Sequence, residues 1–333
     1  MTGDKIRWGL LGAGSILSRW MKGFAEVSDA EIVAVASRTI ASAEKAKETY
    51  GLPLALSYDE LLARDDIDVV YIPVPHRAHK ELAIRAMNAG KAVLVEKPAA
   101  VTAADFDEMA ACAKENNVFL CEAVWTRCFP LLAEVRKRLA DGVIGDVRLI
   151  ESAFTYRMGD DYHGWAFDPN EAGGGLLDVG VYNLHFADAI LEKAPVAVRG
   201  LASVDTDHLH LQVDEQAAYV AQYDQGELAL MISGVRTEHP AEARITGTRG
   251  QITFPCFYKP TEAVITTSAG TETLHEPASG NDEGYQYEIR HVNECLRQGW
   301  KESPLIPHAC TRTVLKTCDE LRKQWGLSFP FES

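Results

Sequence analysis

Glu96 and Lys97 stand side by side at the end of the stretch Lys91-Ala92-Val93-Leu94-Val95-Glu96-Lys97-Pro98. An ammonium next to a carboxylate can hold a substrate oxygen while its neighbour orients it. The run from Ala92 to Val95 lacks polar alternation, as in a parallel-sheet strand covered on both faces. Its charged end is then the edge at which open α/β sheets keep their ligands. Pro98 restricts the backbone and biases Lys97 towards an extended conformation, which aims its side chain. The same two residues would also suit a solvated loop.

A second set of reactive groups lies in Gly173-Gly174-Gly175-Leu176-Leu177-Asp178-Val179-Gly180-Val181-Tyr182-Asn183-Leu184-His185. The glycines allow close approach of backbone to a ligand, and a helix is expected to start after them. On that helix Asp178 and Tyr182 share a face, and His185 adjoins Tyr182. An acid, a phenol and an imidazole on one stripe suit proton transfer to or from an alcohol or carbonyl. Packing roles for Tyr182 and His185, with Asp178 as a cap, explain the same pattern.

These groups need a scaffold and a co-reactant, and the N-terminus supplies signs of both. Ile6 to Leu11 reads as an apolar strand, followed by Gly12-Ala13-Gly14-Ser15-Ile16-Leu17 and a helix to about residue 27. Gly12 and Gly14, with Ser15 and Ile16, fit a turn that brings a pyrophosphate to a helix N-terminus. Leu17 occupies the third glycine position, so the full fingerprint is not met. A second strand, Glu31 to Ala36, ends in Ser37-Arg38-Thr39, where an acid would bind a ribose 2′-hydroxyl. Hydroxyls and a guanidinium favour a 2′-phosphate instead, so the expected cofactor is NADP rather than NAD. After a strand over 69–72, Pro75, His76 and His79 open another helix; either histidine could face the nicotinamide or substrate, or lie at the surface. No third ligand is spaced to make them a metal site, and a metal-dependent use of His163, Asp178 and His185 has no recognised ligand spacing either.

Strand and helix alternate about six times up to residue 123, a doubly wound parallel pattern. The pattern then changes. A helix over 131–140 and a strand over 147–156 precede strand-like runs near 196–204, 213–223, 227–236 and 242–254, with no helices between them. Two helices, 285–297 and 308–325, close the chain. This divides the chain into residues 1–124, a dinucleotide-binding domain, and 125–333, an α/β domain on an open, mostly antiparallel sheet.

The chain has 333 residues, 47% of them hydrophobic and 24% charged, an ordinary globular composition. A net charge of −15 argues against nucleic acid as a partner. No apolar stretch approaches the roughly 20 residues that span a bilayer, and no secretory signal is visible, so the expected location is cytoplasmic. The seven cysteines are dispersed, without Cys-x-x-Cys spacing, which suggests neither a disulfide framework nor a zinc site.

Taken together, the Gly-x-Gly loop, Pro75 with His79 four residues later, Glu96-Lys97-Pro98, and the glycine triplet before Asp-x-Gly-x-Tyr resemble the glucose-fructose oxidoreductase / inositol dehydrogenase / MocA-type family. Within that family the chain is similar to the dimeric dihydrodiol dehydrogenases and the NADP-dependent aldose dehydrogenases, which share the segment Glu122 to Arg127. The resemblance implies a Rossmann domain, a second domain whose open sheet forms a subunit interface, and a homo-oligomer. It also implies that Lys97 and Tyr182 act together at the reacting oxygen. A phenol of pKa about 10 is a poor base, but a nearby ammonium favours the phenolate. Glu96 would orient Lys97, with Asp178 and His185 tuning the proton. Trp125, Arg127, Phe129 and Phe154 are suited to wall a ring-shaped substrate, an aldose or a cyclic trans-dihydrodiol; packing would use Phe129 and Phe154 equally well. A non-catalytic NADP sensor of the same fold is the alternative.

Overall fold

The structure, a computed structural model, describes residues 5–159, 164–204, 212–276 and 284–332. It divides into two compact units, Met1–Trp125 with Ser279–Ala309, and Thr126–Ala278 with Cys310–Ser333.

The first unit holds β1 (Ile6–Leu11), α1 (Leu17–Phe24), β2 (Ala30–Ala36), α2 (Ile40–Tyr50), β3 (Ala55–Leu56), α3 (Tyr58–Leu62), β4 (Val69–Ile72), α4 (His79–Asn88), β5 (Ala92–Glu96), α5 (Ala103–Glu115) and β6 (Leu120–Ala123). Its six strands are parallel in the order β3-β2-β1-β4-β5-β6. The order reverses between β1 and β4, which places a ligand crevice at the C-terminal ends of those strands. The strands are apolar because both faces are covered: all four residues of β4, and Ala92 to Val95 of β5, are buried. Side-chain caps start the helices where the sequence offers them. Thr39 accepts from Ser42 N ahead of α2, Ser57 and Glu60 form a capping box at α3, and Thr102 accepts from Asp105 N at α5.

The second unit holds α6 (Pro130–Ala140), β7 (Val147–Thr155), α7 (Val181–Leu191), β8 (Ala197–Val204), β9 (Asp214–Gln222), β10 (Leu228–Gly234), β11 (Ala243–Gly247), β12 (Gly250–Phe254), β13 (Glu262–Thr267) and β14 (Gly270–His275). Its eight strands run in the order β14-β13-β12-β11-β7-β10-β9-β8. The pairs are antiparallel except β7 with β10, which is parallel. The expected single run over 242–254 is a hairpin of β11 and β12, and β13 and β14 were not expected. Residues of β9 alternate between buried and exposed, so the sheet buries one face.

The units depart from the division expected at residue 124. The segment Ser279–Ala309, with α8 (Tyr285–Arg297), belongs to the first unit, whereas α9 (His308–Trp325) lies in the second from Cys310 onward. The reason is packing: a Cβ on Gly23 of α1 would lie 2.6 Å from Cβ of Tyr285, so that glycine lets α8 lie directly on α1. Trp8 Nε1 also donates to Asn293 Oδ1 at 3.1 Å. Trp125 goes with the first unit too.

Candidate active site

In the first unit the glycine loop is shaped by the strand beside it. Gly12 has φ 145° and donates its N–H to Ala36 O at 2.9 Å. A Cβ there would meet Val74 Cγ1 at 2.5 Å, and one on Gly14 would meet Pro73 O at 2.3 Å. Only bare backbone fits this cradle, while Ser15 is exposed and Ile16 half-buried at the mouth of α1. The cradle suits a pyrophosphate against a helix N-terminus. Leu17, at the third glycine position, is fully buried and serves the core. At the end of β2, Ser37 is half-buried and Arg38 exposed, with Tyr58 beside the Arg38 backbone.

Lys97 follows directly on β5, half-buried, with a cis peptide to Pro98. Glu96 accepts from the Tyr71 hydroxyl and, through Oε2, from Lys97 N at 3.2 Å. Burial raises the Glu96 pKa, while Tyr71 and the Lys97 charge pull it down. The loop after Pro98 is pinned from two sides. Glu122 Oε1 accepts from Ala99 N at 3.0 Å, and His79 Nδ1 lies 2.8 Å from Pro98 O. His79 Nε2 lies 2.8 Å from Val74 O, so its ring bridges the loops after β4 and β5. Fully buried, with its pKa lowered chiefly by that burial, it is placed to position loops rather than to touch a ligand. His76 is buried, its ring 5.8 Å from that of His79. Trp125 stacks on Tyr285 at 4.5 Å, with the Arg19 guanidinium 5.7 Å from both rings.

In the second unit the helix expected after the glycine triplet begins as a π-helical turn, Leu176–Gly180, before α7 takes over. Such wide turns recur at functional sites. Asp178, Tyr182 and His185 are all buried. Phe154 and Tyr156, two residues apart along one face of β7 and its continuation, meet them in register. Tyr156 donates to Asp178 Oδ2 at 2.5 Å, and the Phe154 ring lies 5.4 Å from that of Tyr182. Tyr258 stacks on Phe154 at 4.1 Å and sits edge-on to Tyr182 at 6.0 Å. His185 Nδ1 lies 3.5 Å from Cys310 Sγ. Arg127, expected to wall the substrate, is buried in an ion pair with Asp188 at 2.8 Å and also donates to His185 O. Phe129 is core.

The structure thus brings Asp178, Tyr182, His185 and Phe154 together in one unit and Gly12, Gly14, Glu96, Lys97 and His79 in the other. Tyr71, Tyr156 and Tyr258 were not singled out from sequence. Tyr156 stands two residues beyond Phe154 on one strand face, a signal that could have found it; Tyr71 and Tyr258 carry no such mark. His163 lies outside the described residues. Among the described residues no cluster of His, Cys, Asp or Glu could hold a metal ion, and no helix is long and apolar enough to cross a membrane.

A family model for "Oxidoreductase family, NAD-binding Rossmann fold" matches residues 6–123, and one for the GFO/IDH/MocA C-terminal domain matches residues 132–253. The trans-1,2-dihydrobenzene-1,2-diol dehydrogenase of Mus musculus is 33% identical over 335 residues, covering 98% of each chain. Among solved structures, the aldose-aldose oxidoreductase from Caulobacter crescentus superposes with a TM-score of 0.87 at 25% identity, over 96% of this chain and 97% of its own. A 3-ketoreductase from Actinomadura kijaniata, in complex with NADP and TDP-benzene, gives a TM-score of 0.85 at 25% identity, over 97% and 98%. An NAD(P)-type glycine cradle on a sheet of Rossmann order, joined to a second unit matched by the family's own C-terminal model, makes this chain an oxidoreductase of the GFO/IDH/MocA family.

Proposed function

We propose that the protein is an NADP-dependent dehydrogenase that oxidises a CH–OH group of a ring-shaped polyol, or reduces the corresponding ketone or lactone. The observation that carries this reading is the setting of Tyr182. Its phenol lies among Phe154 and Tyr258, two half-buried rings that offer flat apolar surface to a ring substrate, one helical turn from an Asp178 carboxylate held by Tyr156. The relatives named dihydrodiol dehydrogenase support a cyclic diol, and the aldose-aldose oxidoreductase supports a sugar.

When bound, the nicotinamide supplies the hydride acceptor. In the oxidative direction the carbinol C–H hydrogen leaves with its electron pair, and the O–H proton passes to Tyr182 as phenolate. Lys97 holds the reacting oxygen and favours that phenolate through its charge. Glu96 orients Lys97, and Asp178, with His185 beyond it, tunes the proton. The cofactor reading rests on Gly12, Gly14, Ser15 and Ile16 at the pyrophosphate and on Ser37 and Arg38 at a 2′-phosphate, with Pro75 and His76 on the nicotinamide side.

We further propose a homo-oligomer built through the open face of the eight-stranded sheet. Leu201, Val220, Leu230 and Ile232 are exposed there by 82%, 39%, 39% and 38%, around a groove of about 1020 Å³. A contiguous apolar face of this kind is a docking surface in soluble proteins.

The test is turnover. NADP⁺ and NAD⁺ are each offered with aldoses, inositols and cyclic trans-diols, and reduced nicotinamide is followed by absorbance. Reduction of NADP⁺ by a member of the panel, abolished in Lys97→Met while NADP binding persists, is the expected result. A Lys97→Met enzyme with unchanged turnover would rule the mechanism out. Binding without any turnover across the panel would favour the sensor.

A further inference from the structure

Around Glu96 the first unit gathers three acids, half-buried Glu96 and buried Glu122 and Glu288, and the first two have hydrogen-bond partners. Glu96 accepts from the Tyr71 hydroxyl and from Lys97 N. Glu288, on α8, is 1% exposed, and neither of its carboxyl oxygens makes a hydrogen bond. Tyr71, the donor to Glu96, is fully buried and stacks on Trp20 at 4.4 Å, and Glu96 and Glu288 both act on it electrostatically when ionised.

We propose that Glu288, buried and without hydrogen-bond partners, is a positioning residue that carries the proton of a Glu96–Glu288 pair, leaving the pair's single negative charge on the half-buried Glu96 beside the Lys97 ammonium. The proposal rests on the reading that Lys97 holds the reacting oxygen.

Two carboxylates in one dry site do not both ionise, and the charge goes to the better solvated one. Glu96 has two donors and a neighbouring cation. Glu288 has neither. Burial, followed by the charge of Glu96, holds its pKa well above the carboxylate range; the Trp20 indole acts in the opposite sense without reaching hydrogen-bond geometry. The groups facing the pair are Tyr71 from β4, Lys97 after β5, Glu122 from β6, Trp20 from α1 and Tyr285 from α8. Lys97 is the one cation among them, and Glu122 is itself engaged by Ala99 N. The Lys97 charge acts on Glu96, so the negative charge is favoured there while Glu288 stays neutral.

The proton can be observed without substrate. Difference infrared spectra of the 333-residue chain at neutral pH should contain the carbonyl band of a protonated buried carboxyl that disappears in Glu288→Gln and persists in Glu96→Gln. Loss of that band in Glu96→Gln alone, or in neither variant, overturns the assignment. Should Glu288→Gln fail to fold, Glu288→Met serves, because a side chain with no hydrogen bonds to lose can be replaced by an apolar one. The coupling to Lys97 is read from the pH profile of kcat. In Tyr71→Phe, Glu96 loses a donor and its acid limb should move up by about one pH unit. A merely structural role would lower kcat equally at every pH and leave the limb in place, which overturns the positioning role. Absence of turnover in the wild-type protein would count against the functional reading and leave the infrared result standing.

Discussion

Tyr156 donates its phenolic hydrogen to Asp178 Oδ2 across 2.5 Å, at the point where the π-helical turn passes β7. Burial and then the Asp178 charge hold the Tyr156 pKa above the ordinary phenol value, so this tyrosine stays a donor. Hydrogen bonds to charged groups contribute about 1.5–3 kcal/mol. Tyr156→Phe should therefore lower the free energy of unfolding by about that amount in denaturant titrations. It should also reduce kcat, because Asp178 loses a contact that helps to fix its orientation. A variant with wild-type stability would show that the bond contributes nothing net.

The glycine cradle gives a sharper prediction. A methyl group at position 14 would sit 2.3 Å from Pro73 O, a backbone atom that cannot rotate away. Gly14→Ala must push α1 and the β4 loop apart. We expect NADPH affinity, followed by nicotinamide fluorescence, to fall by at least about tenfold, the equivalent of 1.4 kcal/mol. Affinity within twofold of wild type would mean that the turn yields freely and is no cofactor cradle.

The proposed preference for NADP rests on Arg38, exposed at the end of β2 where an acid would exclude a 2′-phosphate. Arg38→Ala should raise the KM for NADP⁺ by about 10- to 100-fold, the range of one or two charge-assisted hydrogen bonds, while leaving NAD⁺ kinetics near their original values. Equal effects on both cofactors would remove Arg38 from the 2′-phosphate site.

The sequence made the first sheet legible because local signals agreed with one another. Apolar runs and the two glycines point to one strand–helix alternation, which gives the doubly wound parallel class; the order β3-β2-β1-β4-β5-β6 is set by the fold. The placement of α8 was not legible, since its partner Gly23 lies some 260 positions away and carries no mark of that contact. β14 was missed because it is an edge strand, exposed along nearly all its length, so its residues need no hydrophobic alternation. At the site, Lys97, Asp178 and Tyr182 stood out as reactive types in a glycine-rich or strand-end setting. Arg127 was expected to wall a substrate, yet its guanidinium pairs with Asp188 and donates to His185 O, a pairing that only the fold creates. His79 is similar: its two carbonyl partners belong to two loops.

The exposed sheet face predicts an assembly that charge should break. Leu201 and Ile232 lie on it, and neither is part of the buried core. Burying an unpaired carboxylate there would cost several kcal/mol. Leu201→Glu with Ile232→Glu should convert an oligomer into a monomer in sedimentation-velocity runs, with the far-ultraviolet circular dichroism unchanged. A double variant that sediments like the wild type would place any interface elsewhere.

Asp214 makes a prediction about pH. It opens β9, is 1% exposed, and its Oδ2 accepts from Leu176 N at 2.6 Å, anchoring the start of the π-helical turn that carries Asp178. Burial raises its pKa to about 7, although the Leu176 N–H and the Arg322 charge pull it down. In the unfolded chain an aspartate titrates near 3.9, so between about pH 4 and 7 the folded state holds a proton that the unfolded state has lost. The stabilisation linked to that proton is complete below about pH 4 and is lost as pH rises towards 7, on the order of a few kcal/mol in all. Asp214→Asn cannot titrate. Urea titrations at pH 5 and pH 8 should therefore show a smaller difference in unfolding free energy for Asp214→Asn than for the wild type. The wild-type chain should be the one that loses more on going to pH 8. An identical difference in both proteins would mean that Asp214 is ionised throughout the range, held so by Leu176 N–H and Arg322 against its burial.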